Sequence, residues 1–384
     1  MLGNKNTKRE LKLLHIGVHN SANKNAGDTL LFPVVRKIFD YFLGQCKWEL
    51  HQAWDQFSLD FALKINQNFD GIVVGGGGLL LRDQDNSKTS KSGWQWNSSL
   101  DAINTIKIPL IVFAIGYNRF RGQPEFDPIF FKHINTTVDK SIFFGLRNNG
   151  SIKALKNYLN KDLSLKPLRQ FCPTTVLWQL YPEYQALAKA HDKKKKRILS
   201  FNAAFDRSDL RFGSNPNEVI ARVVNALKVA QTRGWKIFVT AHKEIDRKIV
   251  SYLNEQSILF DIRDLTNANE DEIMNFYSQI DFAFGMRGHS QMIPFGLRRP
   301  ILSIISHDKM RFFLEDIKRL EWGIEVNSLE LEKTFENFLK YLEEKRSDMH
   351  ENISLAQQKI WQETESNFKE LNKSLKLKIN KLEN

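Results

Sequence analysis

The sequence predicts two doubly wound α/β halves that face each other across a cleft, with a helical extension at the C-terminus. Three observations carry this. Short continuous apolar runs alternate with helical patterns. The alternation breaks once, near the middle of the chain, and restarts. From about residue 347 it gives way to a single helical period. The length, 384 residues, also exceeds what one core ordinarily organises.

In the first half, strands are expected at 11-LKLLHIGV-18, 71-GIVVGG-76, 109-PLIVFAIG-116 and 141-SIFFGLR-147. Helical stretches such as 28-DTLLFPVVRKIFDYFL-43 and 98-SSLDAINTIK-107 separate them. Continuous β-rich runs with helices between them describe a parallel sheet covered on both faces. The pattern weakens across 181-YPEYQALAKAHDKKKKR-197, which reads as a basic linker. A second set of strands follows at 197-RILSFNA-203, 235-WKIFVTA-241, 280-IDFAFG-285 and 300-PILSII-305. Among its helices, 216-PNEVIARVVNALKVAQTRG-234 has Pro at its start and Gly as its stop. The expected domains are therefore 1–180, 195–345 and a C-terminal extension at 346–384. In that extension Ile360, Trp361, Thr364, Phe368, Leu371, Leu375 and Leu382 form one apolar stripe. A long helix packed on the domains is the preferred reading. A coiled-coil seam or a basic membrane-surface helix is the alternative.

Composition narrows the class. No stretch approaches the roughly 18–20 apolar residues of a membrane span, and the N-terminus lacks the run of a signal peptide; a cytoplasmic protein is expected. Cys46 and Cys172 give neither a disulfide framework nor zinc spacing and read as two reduced, partly buried thiols. Lysine and arginine outnumber acids by 56 to 44, a net +12, which favours an anionic partner. Part of that excess is local, in the KKKKR run from Lys193 to Arg197 and in the Lys-rich tail. No zinc-finger, RNA-recognition or basic-zipper signature accompanies it.

Parallel sheets carry their ligand loops at the carboxyl ends of strands, and four such loops stand out. In 20-NSANKNAGDTLL-31, Asp28 is placed to cap the following helix, whose free N–H groups also suit an anion or a sugar hydroxyl. In 75-GGGGLLLRD-83, four glycines exceed what a turn needs and let backbone approach a ligand, without the spacing of a dinucleotide or Walker loop. In 144-FGLRNNGS-151, Arg147 ends a strand and Ser151 is placed to cap the next helix; the arginine is a cleft ligand for phosphate or carboxylate, or a surface residue beside a cap, with equal weight. In 284-FGMRGHSQ-291, Arg287 and His289 are two apart just past a strand, so extended backbone would turn both toward one ligand. Lys309, just past the next strand, would join them at one anion. A histidine beside two strand-end cations is placed to exchange protons with it. The tryptophans of 94-WQW-96 offer a stacking surface for a sugar ring, although packing against a helix is favoured.

The ordered set NAGD, GGGG, LRNNGS, FCPTTV, MRGHSQMIPFGLRRPILSI and HDK resembles the polysaccharide pyruvyl transferase family over roughly residues 13–315. The Arg-x-His strand end is its most specific element. Two departures are Gly288, where the family often has a bulky apolar residue, and Ser290, where a small or apolar residue often follows the histidine. The resemblance implies two Rossmann-like domains in a glycosyltransferase-B-like arrangement. It implies transfer of a pyruvyl unit from phosphoenolpyruvate to two hydroxyls of one sugar of a surface polysaccharide or exopolysaccharide, giving a cyclic ketal and phosphate. His289 matches the catalytic histidine, a protonated general acid. Arg147, Arg287 and Lys309 match positions that hold the donor's phosphate and carboxylate. Asn25, Asp28, Gly75, Gly76, Gly77 and Gly78 fall on the acceptor side. No cofactor or metal is implied; phosphoenolpyruvate is a co-substrate. The expected partners are that donor and a glycan, with a lipid-diphosphate carrier and peripheral contact with the inner membrane surface as the reading of the basic tail, and no nucleic acid. A nucleotide-sugar glycosyltransferase of the same architecture is the closest alternative. A non-enzymatic anion- or nucleic-acid-binding protein is the rival from another class.

Overall fold

A computed structural model describes residues 9–19, 25–82, 89–193, 196–213 and 215–383. Residues 20–24 of the first loop, Lys194 and Lys195 of the basic run, and Asp83 of the glycine loop lie outside the described residues. Among the described residues, twelve strands form two sheets of six. The first contains β1 (Leu11–Gly17), β2 (Cys46–Gln52), β3 (Gly71–Leu80), β4 (Leu110–Tyr117), β5 (Ser141–Leu146) and β6 (Leu168–Arg169). The second contains β7 (Ile198–Asn202), β8 (Lys236–Ala241), β9 (Asp261–Asp264), β10 (Phe282–Gly285), β11 (Ile301–Ile305) and β12 (Gly323–Glu325).

Every pairing is parallel. The orders are β2-β1-β3-β4-β5-β6 and β12-β11-β10-β7-β8-β9. Strand order therefore reverses direction between β1 and β3 in one sheet and between β7 and β10 in the other. Such switch points leave a crevice at the carboxyl ends of the flanking strands.

The eight expected strands are present, because each buries both faces under helices. The four that sequence periodicity does not mark lie at sheet edges. β2, for example, is CKWELHQ, largely exposed, and pairs only with β1 on its inner side. The glycine run does not follow β3 but forms its second half, with a register shift against β4. Gly75 has φ +140°, and a Cβ there would stand 2.1 Å from the Phe113 carbonyl oxygen. Close sheet packing thus accounts for it. The expected linker contains a helix, Pro182–Asp192.

The C-terminal helix spans Arg346–Glu383. Its stripe is buried from Met349 and Ile353 through Ile360, Thr364, Phe368, Leu371 and Leu375; Trp361 is half-buried and Leu382 exposed. The helix straps the two halves together. Phe368 stacks on Phe42 at 4.5 Å and meets Phe39 edge-on. Gln357 Nε2 lies 2.7 Å from the Phe295 carbonyl and 3.2 Å from that of Thr175, one from each half. Among the described residues no helix is long and apolar enough to cross a membrane.

Candidate active site

The carboxyl ends of both sheets converge on one cleft, and each switch point supplies part of its wall. Asn25 and Asp28 follow β1, Gly77 and Gly78 close β3, Asn118 follows β4 and Arg147 follows β5. From the other half come Asp206 and Arg211 after β7, His242 and Lys243 after β8, Arg287 and His289 after β10, and Lys309 after β11. The structure therefore brings Arg147, Arg287, His289 and Lys309 together, as expected. Gly75 and Gly76 do not line the cleft. Neither do Trp94 and Trp96, which are fully buried in edge-on contact; Trp94 Nε1 donates to His133 Nδ1 at 2.9 Å. Of the two readings of that pair, core packing holds.

Local details correct four expectations. Asn25, not Asp28, caps the helix Ala26–Leu43, accepting from Gly27 N at 3.2 Å. Asp28 sits inside the first turn, where Asn25 Nδ2 donates to its Oδ2 at 2.7 Å. Asn148, not Ser151, caps the helix Asn149–Lys156, because only a side chain on the extended residue before the helix reaches the free N–H groups. Arg287 and His289 do not share an extended segment: Gly288 is helical and His289 opens the helix His289–Gly296. Their convergence comes from the helix start.

The fourth concerns the charge on Arg287. Its Nε donates to Asp246 Oδ2 at 2.7 Å, and its Nη2 pairs with Asp206 Oδ1 at 2.6 Å. Asp246 is 1% exposed. Burial works against both charges, yet these carboxylates hold the Arg287 guanidinium firmly charged, and Arg287 with Arg211 keeps Asp206 far below the ordinary carboxylate range. Arg287 is a cross-strut before it is an open anion ligand.

Arg147 is the opposite case. It is 6% exposed, and its Nε and Nη2 have no hydrogen-bond partner among the described residues. The guanidinium lies against Gly116, where a Cβ would stand 2.0 Å from Nε. Burying unpaired cationic donors is costly, and an anion in the cleft relieves that cost. Among the described residues, Lys309 Nζ donates only to a neutral group, Asn118 Oδ1, at 3.2 Å. Burial first, then Arg211 and Arg147, pushes the Lys309 amine well below its usual range. Six cations and two carboxylates line the cleft among the described residues; counting buried Asp246 as well, cations exceed acids by three.

The imidazole of His289 is wedged between the halves. Its Nε2 is 3.8 Å from Cys172 Sγ, and its Nδ1 faces Gly27, where a Cβ would come within 2.4 Å. Burial, then Arg147, His242 and Lys309, holds it down at about 3. The expected protonated histidine is thus neutral while the cleft holds no anion. A dianion beside it offsets the field of those cations and raises the imidazole.

Asp206, Asp246, Arg211, His242, Lys243 and Asn118 escaped the reading of the sequence, and Cys172 reads there only as a reduced thiol. A signal was available for most of them. The segments 202-NAAFDRSDLR-211 and 241-AHKEID-246 directly follow predicted strands, where parallel sheets place ligand loops.

Cleft and sheets together define a parallel α/β protein of two Rossmann-like domains in a glycosyltransferase-B-like arrangement. An Anabaena protein, Alr3699/HepE, solved with UDP and glucose, superposes with a TM-score of 0.54 at 8% identity, covering 96% of this chain and 100% of that one. The S. aureus protein MnaA, solved with UDP, gives 0.52 at 10% identity over 90% and 91% of the two chains. The wall teichoic acid polymerase TagF gives 0.51 at 10% identity over 98% and 91%. At such identities the likeness is one of fold. No match was found among curated proteins. The chain belongs to the polysaccharide pyruvyl transferase family, whose model matches residues 18–308.

Proposed function

We propose that the protein transfers the pyruvyl unit of phosphoenolpyruvate to two hydroxyls of one sugar in a surface polysaccharide or its precursor, forming a cyclic ketal. The observation that carries this reading is Arg147: a buried guanidinium with two nitrogens unpaired among the described residues, beside Lys309, in a cleft where six basic side chains face three acids, Asp246 included, which suits a small trianion. Family membership supports the pyruvyl group and the glycan.

The chemistry follows from the residues. Arg147 and Lys309 hold the donor's carboxylate and phosphate, Arg147 through its planar fork. Bound dianion raises the His289 imidazole toward protonation. The imidazolium then protonates the donor's methylene carbon, and C2 becomes an oxocarbenium-like electrophile for the first hydroxyl. Phosphate leaves, and the second hydroxyl closes the ketal. Gly288 keeps the wall beside the imidazole small, leaving room for a ring. Arg287 holds the ends of β7, β8 and β10 in register for this site. A lipid-diphosphate carrier on the acceptor fits the basic end of the C-terminal helix, which would lie at an anionic membrane surface.

The test is incubation of the full chain with phosphoenolpyruvate and a panel of glycans, reading mass gain on the glycan and free phosphate. Transfer from a nucleotide sugar in place of phosphoenolpyruvate would overturn the reading.

A further inference from the structure

The cleft has a second chamber. Beside the cation-rich pocket lies a recess bounded by Thr29 and Arg36 from one half and by Thr266, Asn267 and Glu270 from the other. The two spaces share Asp28 and Phe32, so Asp28 stands on their common wall. Their linings differ in kind. The first concentrates cations. Among the described residues, the recess sets one cation, Arg36, against two carboxylates, Asp28 and Glu270, and otherwise presents the His19 imidazole, hydroxyl and amide groups, and the apolar Phe32, Pro33, Leu50 and Ala268. Such a surface, with two acids against one cation, suits a neutral polyhydroxylated ring better than a trianion. Asp28 is half-buried. Among the described residues its carboxylate accepts one side-chain hydrogen bond, from Asn25 on Oδ2, which leaves acceptor capacity free.

We propose that this recess holds the acceptor sugar and that Asp28 is the base that deprotonates its attacking hydroxyl. This rests on the pyruvyl-transfer reading and deepens it. As the hydroxyl oxygen bonds to C2 of the donor, its proton passes to Asp28 while C3 takes a proton from His289. The bond from C2 to the phosphate oxygen then breaks, and the electron pair leaves with phosphate. The second hydroxyl adds to C2 and closes the ring. Of the two hydroxyl protons released, one replaces the proton spent at C3 and the other leaves on phosphate. Burial raises the Asp28 carboxyl above its usual range, against the pull of Lys243 and Asn25, a direction that suits a base.

The experiment has three arms on the full chain. Calorimetry with phosphoenolpyruvate alone comes first; no binding there sinks the pyruvyl-transfer reading itself, before any acceptor is added. Saturation-transfer NMR with phosphoenolpyruvate present then probes methyl β-galactopyranoside, methyl β-glucopyranoside and methyl α-mannopyranoside. Transfer to at least one of them is expected, and its loss in the Asn267→Ala/Glu270→Gln double variant. No transfer to any of the three, or transfer untouched by the double variant, overturns the recess as acceptor site. For turnover with the glycan that reacts, each single variant should raise the acceptor KM about tenfold, the worth of one hydrogen bond, and leave the phosphoenolpyruvate KM in place. Asp28→Asn should keep donor binding and lower kcat by about 100-fold or more. Donor binding intact with kcat unchanged removes Asp28 as base.

Discussion

Arg287 and Asp246 form a buried two-point ion pair, with Nε donating to Oδ2 at 2.7 Å and Nη2 to Oδ1. The same Asp246 Oδ2 accepts from the backbone N–H of His242 and of Lys243, each at 3.1 Å, and from Asn202 Nδ2 at 3.2 Å. One carboxylate thus ties together the ends of β7, β8 and β10. Asp246→Ala would leave a buried guanidinium with Asp206 alone and orphan the backbone N–H groups of His242 and Lys243, while Asn202 Nδ2 keeps its bond to the Thr240 carbonyl. A loss of about 3–5 kcal/mol of stability is expected. Denaturant unfolding measures it; an unchanged midpoint would show that the pair is not a strut.

The contact of Gly27 with His289 predicts a separable defect. Alanine is favoured in a helix, so Gly27→Ala should fold normally. Its methyl would come within 2.4 Å of Nδ1 and push the imidazole out of place. Turnover should fall by about 100-fold, the usual effect of misplacing a catalytic group by about an ångström. His289→Ala should lose about 10²–10⁴-fold with melting temperature retained. Near-normal turnover in both variants would take the imidazole out of the mechanism.

Arg147 is tested from two sides. Arg147→Ala should raise the phosphoenolpyruvate KM by about 10–100-fold, the worth of a charge-assisted hydrogen bond. Gly116→Ala should do the same with the arginine still present, because its Cβ would overlap Nε. Steady-state kinetics at saturating acceptor checks both, and a donor KM that stays put in both excludes Arg147 from the donor site.

Donor binding should take up protons. His289 and Lys309 are both depressed by burial and by neighbouring cations, and a bound anion raises both. Affinity for phosphoenolpyruvate should therefore rise as pH falls from 8 to 7. Calorimetry in buffers of different ionisation enthalpy reads the uptake directly. Zero uptake contradicts the coupling.

The histidines also predict acid lability. His15, His19, His51, His133, His242, His289, His307 and His350 are all depressed, in each case chiefly by burial, and four of them lie at about 3 to 4. Below pH 6.5 the unfolded chain binds protons that the folded one refuses. Stability is therefore complete above that pH and is lost as pH falls toward the folded values, by up to ~1.4 kcal/mol per unit for each histidine. Thermal melts at pH 7, 6 and 5 should show a steep drop; a flat series would mean these rings are not buried neutral.

Parts of this site were legible in the chain. Arg147, His289 and Lys309 could be picked out because parallel strands declare themselves by continuous apolar runs, and their carboxyl ends follow from direction alone. The polar edge strand β2 could not, since an exposed strand carries no such run. The loops carrying Asp206 and Asp246 also sat at predicted strand ends, but nothing local marks them as partners of Arg287.

The sequence alone determined the two sheets, the strap-like last helix and the strand tips from which the site is built, since those depend on short-range periodicity. Only the tertiary structure decided which cations remain uncompensated. Arg287 is neutralised by two distant aspartates and Arg147 is not, which no local pattern records. It likewise decided that Trp94 and Trp96 are core, and that His289 rests against Gly27 and Cys172 of the other half. Burial and charge pairing are properties of packed space, and packing joins residues that the chain keeps far apart.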